Sequence, residues 1–161
     1  MGIKCSASPS AFKALVDDAI RIVRDEIFNA LAYLGEQSVT RIKDRSAEES
    51  WIDQTGNLRS SIGYAVYDHG RKLVESAFDQ VLNGSQGTSE GKKYVNELAS
   101  KFANVYALVV VAGMSYADYV EKLENKDVLA STELWAKTKV NEYMMKAQKK
   151  AESKINRMFA R

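Results

Sequence analysis

Apolar residues recur at three- and four-residue intervals from Phe12 through Leu15, Val16, Ala19, Val23, Ile27, Ala30, Leu31 and Leu34. Asp17, Asp18, Arg21, Arg24 and Asp25 turn the other way, so the spacing predicts an amphipathic helix. Ser8 stands where its hydroxyl would cap that helix, and Pro9 takes its first position. Gly35 weakens the pattern by about 1 kcal/mol without ending it. Val39 and Ile42 keep the phase and carry the helix to the region of Asp44. Residues 46–56 read as a polar linker holding one large apolar side chain, Trp51. From Leu58 the period becomes two: Ile62, Tyr64 and Val66 fall on one side of a strand, and Gly63, Ala65 and Tyr67 on the other. Asp68-His69-Gly70 is a tight turn, and Lys72–Phe78 returns as the second strand of a hairpin.

Residues 83–91 hold Gly, Ser, Thr, Asn and Gln almost throughout, which predicts a flexible loop. A short helix is expected over 92–104, with Val95, Leu98, Ala99 and Phe102 on its inner face. Val105–Ala112 is nearly all apolar and β-branched, the pattern of a central buried strand. Ser115 and Asp118 resemble a capping box opening another short helix whose Tyr119, Val120 and Leu123 face inward. Ser131 is the expected cap of a last helix that runs to the end of the chain, roughly 45 Å at 1.5 Å per residue. That exceeds the width of a domain of this size, so part of it is expected to project or to pack on another chain. The fold class read from these elements is α+β, a single domain over 1–161 with 1–8 disordered. It comprises a long N-terminal helix, a small antiparallel sheet, short helices and a long C-terminal helix.

Composition changes this picture mainly by exclusion. The 161 residues contain one cysteine (Cys5), one histidine (His69) and one proline. An intrachain disulfide and a multi-cysteine or multi-histidine metal site are therefore ruled out, and no metal or cofactor is expected. The longest apolar stretch, Ala107–Ala112, is far short of a membrane span. The N-terminal residues lack a signal-peptide run, so synthesis in a reducing cytoplasm is the expectation. Charge adds an asymmetry: residues 136–161 carry eight basic groups against Glu142 and Glu152, whereas the remainder carries 15 against 19. A basic segment on an acidic body fits contact with nucleic acid, a membrane surface or neighbouring copies of the chain, or simply a solvated face.

Candidate catalytic patterns are weak. Gly113-Met114-Ser115-Tyr116-Ala117 departs from an esterase elbow at its last position, and its only candidate base, His69, lies in a turn. Gly87–Lys93 has one residue too few between its glycines for a phosphate-binding loop and no Ser or Thr after Lys92. The pairs Asp17–Asp18 and Glu48–Glu49 fall on polar stretches where desolvation cannot raise a carboxyl pKa. No catalytic residue is assigned.

Two segments carry more. Thr55-Gly56-Asn57-Leu58-Arg59-Ser60-Ser61-Ile62 follows the long first helix, and Tyr116-Ala117-Asp118-Tyr119-Val120-Glu121 follows the apolar strand. In this order they resemble the head–tail joining proteins of tailed bacteriophages, the tail-completion or minor capsid proteins of the neck. The sequence leaves the family's pattern after Glu121, where Lys122-Leu123-Glu124 continues a helix. The resemblance implies a non-enzymatic virion protein made in the host cytoplasm. It implies a ring, commonly of six copies, that contacts head-connector and tail proteins and surrounds a channel for DNA. It marks Thr55, Gly56, Leu58, Arg59, Ser61, Ile62, Tyr116, Ala117, Tyr119, Val120 and Glu121 as motif or subunit-interface positions. Arg59 is either a cation for a neighbouring subunit's carboxylate or a charge tied to its own chain. Lys146, Lys150 and Lys154 form the candidate basic contact face, serving a neighbouring copy or, in the alternative reading, a small DNA-binding module.

Overall fold

The computed structural model describes residues 8–46, 48, 50–123 and 126–160. The chain is α+β, with a three-stranded antiparallel sheet between helices. Helix α1 (Pro9–Lys43) opens with the Ser8 hydroxyl accepting from the Ala11 amide. After it come α2 (Asn57–Ser60), β1 (Ile62–Asp68), β2 (Arg71–Glu75) and α3 (Ser85–Leu98). A 3₁₀ turn over Ala99–Phe102 leads to β3 (Tyr106–Ala112), then α4 (Ala117–Leu123) and α5 (Ala130–Phe159). The expectation of disorder over 1–8 falls, except for Ser8, outside the described residues.

Alternation along β1 builds two cores. Ile62, Tyr64 and Val66 pack against α1 with Leu31, Val39, Ile42, Trp51 and Leu58. Ala65 and Tyr67 on the other face join Phe78, Val95, Leu98 and Val111 beneath α3. Helix α5 lies antiparallel along α1, since Glu26 meets Lys154, Tyr33 meets Tyr143 and Arg41 meets Trp135.

The strand expected to be central is an edge. The sheet order is β2-β1-β3, and β1 rather than Val105–Ala112 is buried on both faces. An all-apolar run reads the same whether a second strand or a groove lies beside it, and here β3 is half-buried. The return strand is shorter than expected, Arg71–Glu75, with a bulge opposite Val66 and Tyr67. Phe78 leaves the strand in a left-handed conformation, and its ring is buried under Gly63 and Gly91.

The flexible loop expected over 83–91 is also corrected: Ser85 onward is the first half of α3. Its polar composition has little to bury by side chains, but its backbone is held by tertiary contacts. The Gly87 amide donates to Asn57 Oδ1, and a Cβ at Gly87 would sit 1.9 Å from the Asn57 carbonyl oxygen. The short helix expected over 92–104 is thus the continuation of α3 and its 3₁₀ turn.

Gly35 is explained by contact rather than by flexibility. A Cβ there would stand 2.4 Å from the Tyr64 ring, which is itself buried, so glycine lets α1 lie directly on β1. The Tyr64 hydroxyl then reaches the Glu36 carboxylate at 2.8 Å, and burial, followed by that bond, pushes its pKa up. In an open helix Gly→Ala adds about 1 kcal/mol of stability. Gly35→Ala is expected to lose about 1–3 kcal/mol instead, by overpacking the contact. Urea unfolding of the two proteins checks this, and a stabilised variant would contradict the described packing of α1 on β1.

Candidate functional site

The two motif segments, separated by some fifty residues of chain, meet at one end of the sheet. Asp53 organises the first. Its Oδ1 accepts from the Gly56 amide and its Oδ2 from the Arg59 amide, both at 3.0 Å, so one carboxylate caps α2 from outside the helix. Gly56 has φ of 81°, a left-handed conformation that L side chains rarely adopt, and a Cβ there would lie 1.9 Å from the Val81 carbonyl oxygen. Leu58 and Ile62 are buried in the α1-facing core, and Thr55 is exposed.

Ser61 joins the segments. Its carbonyl accepts from the Gly113 amide at 3.1 Å, and its hydroxyl accepts from Met114 and donates to the Leu58 carbonyl. Tyr116 lies beside the first segment: burial and then the Asp53 charge push its hydroxyl pKa up. Ala117 is buried and Val120 packs on the core. Tyr119, expected to face inward, is 60% exposed. Helix α4 is only two turns long and covers the core through Ala117 and Val120, which leaves Tyr119 on its outer side. The side chain of Leu123 lies outside the described residues.

Arg59 is committed to its own chain. Its guanidinium donates to the Lys43 carbonyl at the end of α1, lies 4.0 Å from Asp53 and stacks 5.0 Å over the Trp51 ring. That cation and ring pin the connection between α1 and α2, which is why Trp51 is buried in a stretch read as a polar linker.

Glu121 has a role that its motif did not reveal. Its Oε1 accepts from the Leu129 amide at 3.1 Å and the Ala130 amide at 2.7 Å, so α4 caps α5. Ser131 is not the cap that was expected; Leu129 holds the N-cap position, and the Ser131 amide instead donates to Asp127 Oδ1 at 3.0 Å. Two acidic side chains from earlier in the chain thus serve the free amides and the positive end of the α5 dipole. Arg45 completes the joint by pairing with the Asp127 carboxylate at 2.6 Å and bonding Thr132.

The basic face is largely neutralised. Lys146 pairs with Glu142 at 2.6 Å and lies over the Tyr143 ring, and that hydrogen bond raises its pKa. Lys154 pairs with Glu26, whose side chain is buried in the α1–α5 contact. Among the described residues Lys149, Lys150 and Arg157 have no ion-pair partner. Lys150 lines a groove of about 210 Å³ between α1 and α5 with Glu26, Tyr33 and Tyr143.

The elbow-like Ser115 cannot use His69. His69 lies at the hairpin opposite Val105, where its amide donates to the Val105 carbonyl, and its ring meets Asp68 and Tyr106. Ser115 follows the far end of β3, about 24 Å away along seven extended residues. Among the described residues no helix is long and apolar enough to cross a membrane, and no cluster of His, Cys, Asp and Glu is arranged to hold a metal. No protein-family model matches the chain, and no curated protein or solved structure matches it.

The α4–α5 joint carries two expectations. Glu121→Ala is expected to cost about 0.5–2 kcal/mol, the usual worth of a lost cap, measured by denaturant unfolding. At Asp127, burial opposes ionisation, yet its bonds to Ser131 and the Arg45 charge outweigh it and hold the carboxyl below its usual range. A depressed folded pKa stabilises above the unfolded value, about 3.9, and that contribution fades as pH falls through the folded value. Asp127→Asn is therefore expected to be less stable than the parent at pH 7 and to lose less stability on acidification. Unfolding curves collected at several pH values check both signs.

Proposed function

We propose that this chain is a structural virion protein of a tailed phage or prophage, which joins or completes the tail at the head–tail interface as a ring of copies. Its partners are then further copies of itself, commonly six in the virion, together with head-connector and tail proteins, and its work is mechanical. The observation that supports this reading is the union of the two motif segments. Ser61 ties them into one unit, and that unit presents Thr55, Tyr116 and Tyr119 to solvent at the end of the sheet. Exposed tyrosines on a braced support are a common composition for a protein contact. The braces explain the other motif positions: Gly56, Leu58, Arg59, Ser61, Ala117, Val120 and Glu121 all serve the support.

A small DNA-binding module is the second reading. It rests on Lys149, Lys150 and Arg157, the cations of α5 that have no acidic partner among the described residues. Against it stand the ion pairs that occupy Lys137, Lys139, Lys146 and Lys154. A test of the basic face must spare Lys154, because a glutamate there would face the buried Glu26.

The discriminating experiment uses the purified full chain with the triple variant Lys149→Glu, Lys150→Glu, Arg157→Glu. For the joining protein, electron microscopy is expected to show closed rings of one size. DNA affinity is expected to be sequence-blind, about 10⁻⁴ to 10⁻⁶ M at physiological salt, and to fade as salt displaces the phosphate contacts. Sequence-selective binding near 10⁻⁸ M that the triple variant abolishes would replace this reading with the second.

A further inference from the structure

The two edges of the sheet are built differently. Strand β2 carries Arg71, Lys72 and Glu75 and a bulge against β1, devices that keep an edge from accepting another strand. Strand β3 has neither: Tyr106–Ala112 holds no charge and no proline, and its register with β1 is unbroken over seven pairs. The Gly113 amide donates to the Ser61 carbonyl, and the His69 amide to the Val105 carbonyl. Bonded residues alternate along an antiparallel ladder. The odd-numbered residues of β3 therefore turn their main-chain groups to β1, and Tyr106, Leu108, Val110 and Ala112 turn theirs outward. Among the described residues these outward groups have no partner. They face a groove of about 570 Å³ that is lined by consecutive residues of β3, from both faces of the sheet, as only an edge can supply. Leu34 and Ile42 of α1 and Ala136 and Val140 of α5 close its other side. Helix α5 thus packs along α1 and overhangs the place where a fourth strand would lie.

We infer that residues 1–7 of one copy add a fourth strand to the edge of β3 in another. Free main-chain groups at two-residue spacing select an extended segment over a helix, whose own amides and carbonyls are bonded internally. The apolar groove requires that segment to be apolar at every second residue. The chain ahead of Ser8 has this pattern, with Ile3, Cys5 and Ala7 alternating with Gly2, Lys4 and Ser6. It is long enough to run beside all of β3. Ile3, Cys5 and Ala7 then lie with Leu108 and Val110 beneath α5, and Lys4 takes the opposite face. The segment cannot fill the groove of its own chain. Tyr106, at the near end of the groove, meets Phe28, about 30 Å along α1 from Ser8. Residues 1–7 reach about 25 Å at full extension, and the groove runs on from Tyr106 away from Ser8. The occupant is therefore the segment of another copy. The contact goes beyond the ring reading and does not rest on it, since copies linked this way form an exchanging pair or a ring.

The test uses the full chain carrying Ile3→Asp, which leaves the groove intact and spoils the segment, and a fluorescent synthetic peptide of residues 1–7. Anisotropy titration is expected to show the peptide binding this protein, and a peptide carrying Ile3→Asp binding at least about tenfold more weakly. Amide hydrogen exchange supplies the second readout. The peptide is expected to slow exchange at the outward amides of Leu108 and Val110 and to leave Ala107 and Val109, already bonded to β1, as they were. Ala136→Trp, which fills the groove from α5, is expected to weaken peptide binding about tenfold or more; should that variant not fold, the amide measurement still decides. A peptide that does not bind at millimolar concentration would overturn the inference. So would binding that ignores residue 3, or binding that leaves the Leu108 and Val110 amides unprotected, because the occupant would not then be a strand on this edge. Closed rings whose size and stability ignore Ile3→Asp, with no peptide binding, would sink the strand and keep the ring. Peptide binding with both readouts as expected, in a parent that forms pairs and no ring, would keep the strand and sink the ring.

Discussion

The contact between Gly35 and Tyr64 sets how near α1 lies to the sheet, and the remaining packing follows from that distance. With no side chain between helix and ring, α1 can bury Leu31, Val39 and Ile42 against one face of β1 while Tyr64 reaches Glu36. The helix is then held low enough for α5 to pack along it and for Arg59, bound to the last turn of α1 through the Lys43 carbonyl, to fasten the start of α2. A bulkier residue at position 35 would move every one of these partners at once, because close-packed interiors transmit displacement rather than absorb it.

Most of the element order was legible from periodicity. The helix from Pro9 to Lys43, the change to period two at Ile62 and the last helix follow from spacing alone, because each has an apolar face long enough to set a phase. The differences share one cause, which is partners that lie outside the segment being read. The rank of β3 in the sheet depends on what lies beside it, and an apolar run carries no record of that. The first half of α3 is held by the Gly87 amide's bond to Asn57 and the Thr88 hydroxyl's bond to the Phe78 carbonyl, invisible in a segment made of glycine and hydroxyl residues. The caps of α5 come from Glu121 and Asp127, whereas local rules favoured the nearer Ser131.

The candidate site shows the same division. That the segments around Gly56 and Tyr116 stand out from the rest of the chain was readable from their residues. That most of them form the support, leaving Thr55, Tyr116 and Tyr119 as the presented groups, was not. Arg59 illustrates the difference: a planar cation beside a turn is equally suited to a neighbour's carboxylate and to a carbonyl of its own chain, and only the position of Lys43 and Trp51 decides between them. The basic face lost most of its apparent charge in the same way, once Glu26, Glu133 and Glu142 were found against its lysines.

The antiparallel pairing of the first and last helices has a consequence for how the chain is made. Glu26 waits for Lys154, 128 residues later, and the apolar side of α1 that α5 covers waits equally long. At about 5–20 residues per second, a ribosome takes on the order of 6–25 s to supply the missing helix. Throughout that interval the side of α1 that α5 covers stays open, whereas β1 can pair with β3 and take up the other side well before α5 exists. The sheet and its helix therefore form the early unit on the ribosome, and docking of α5 is the event that translation itself delays.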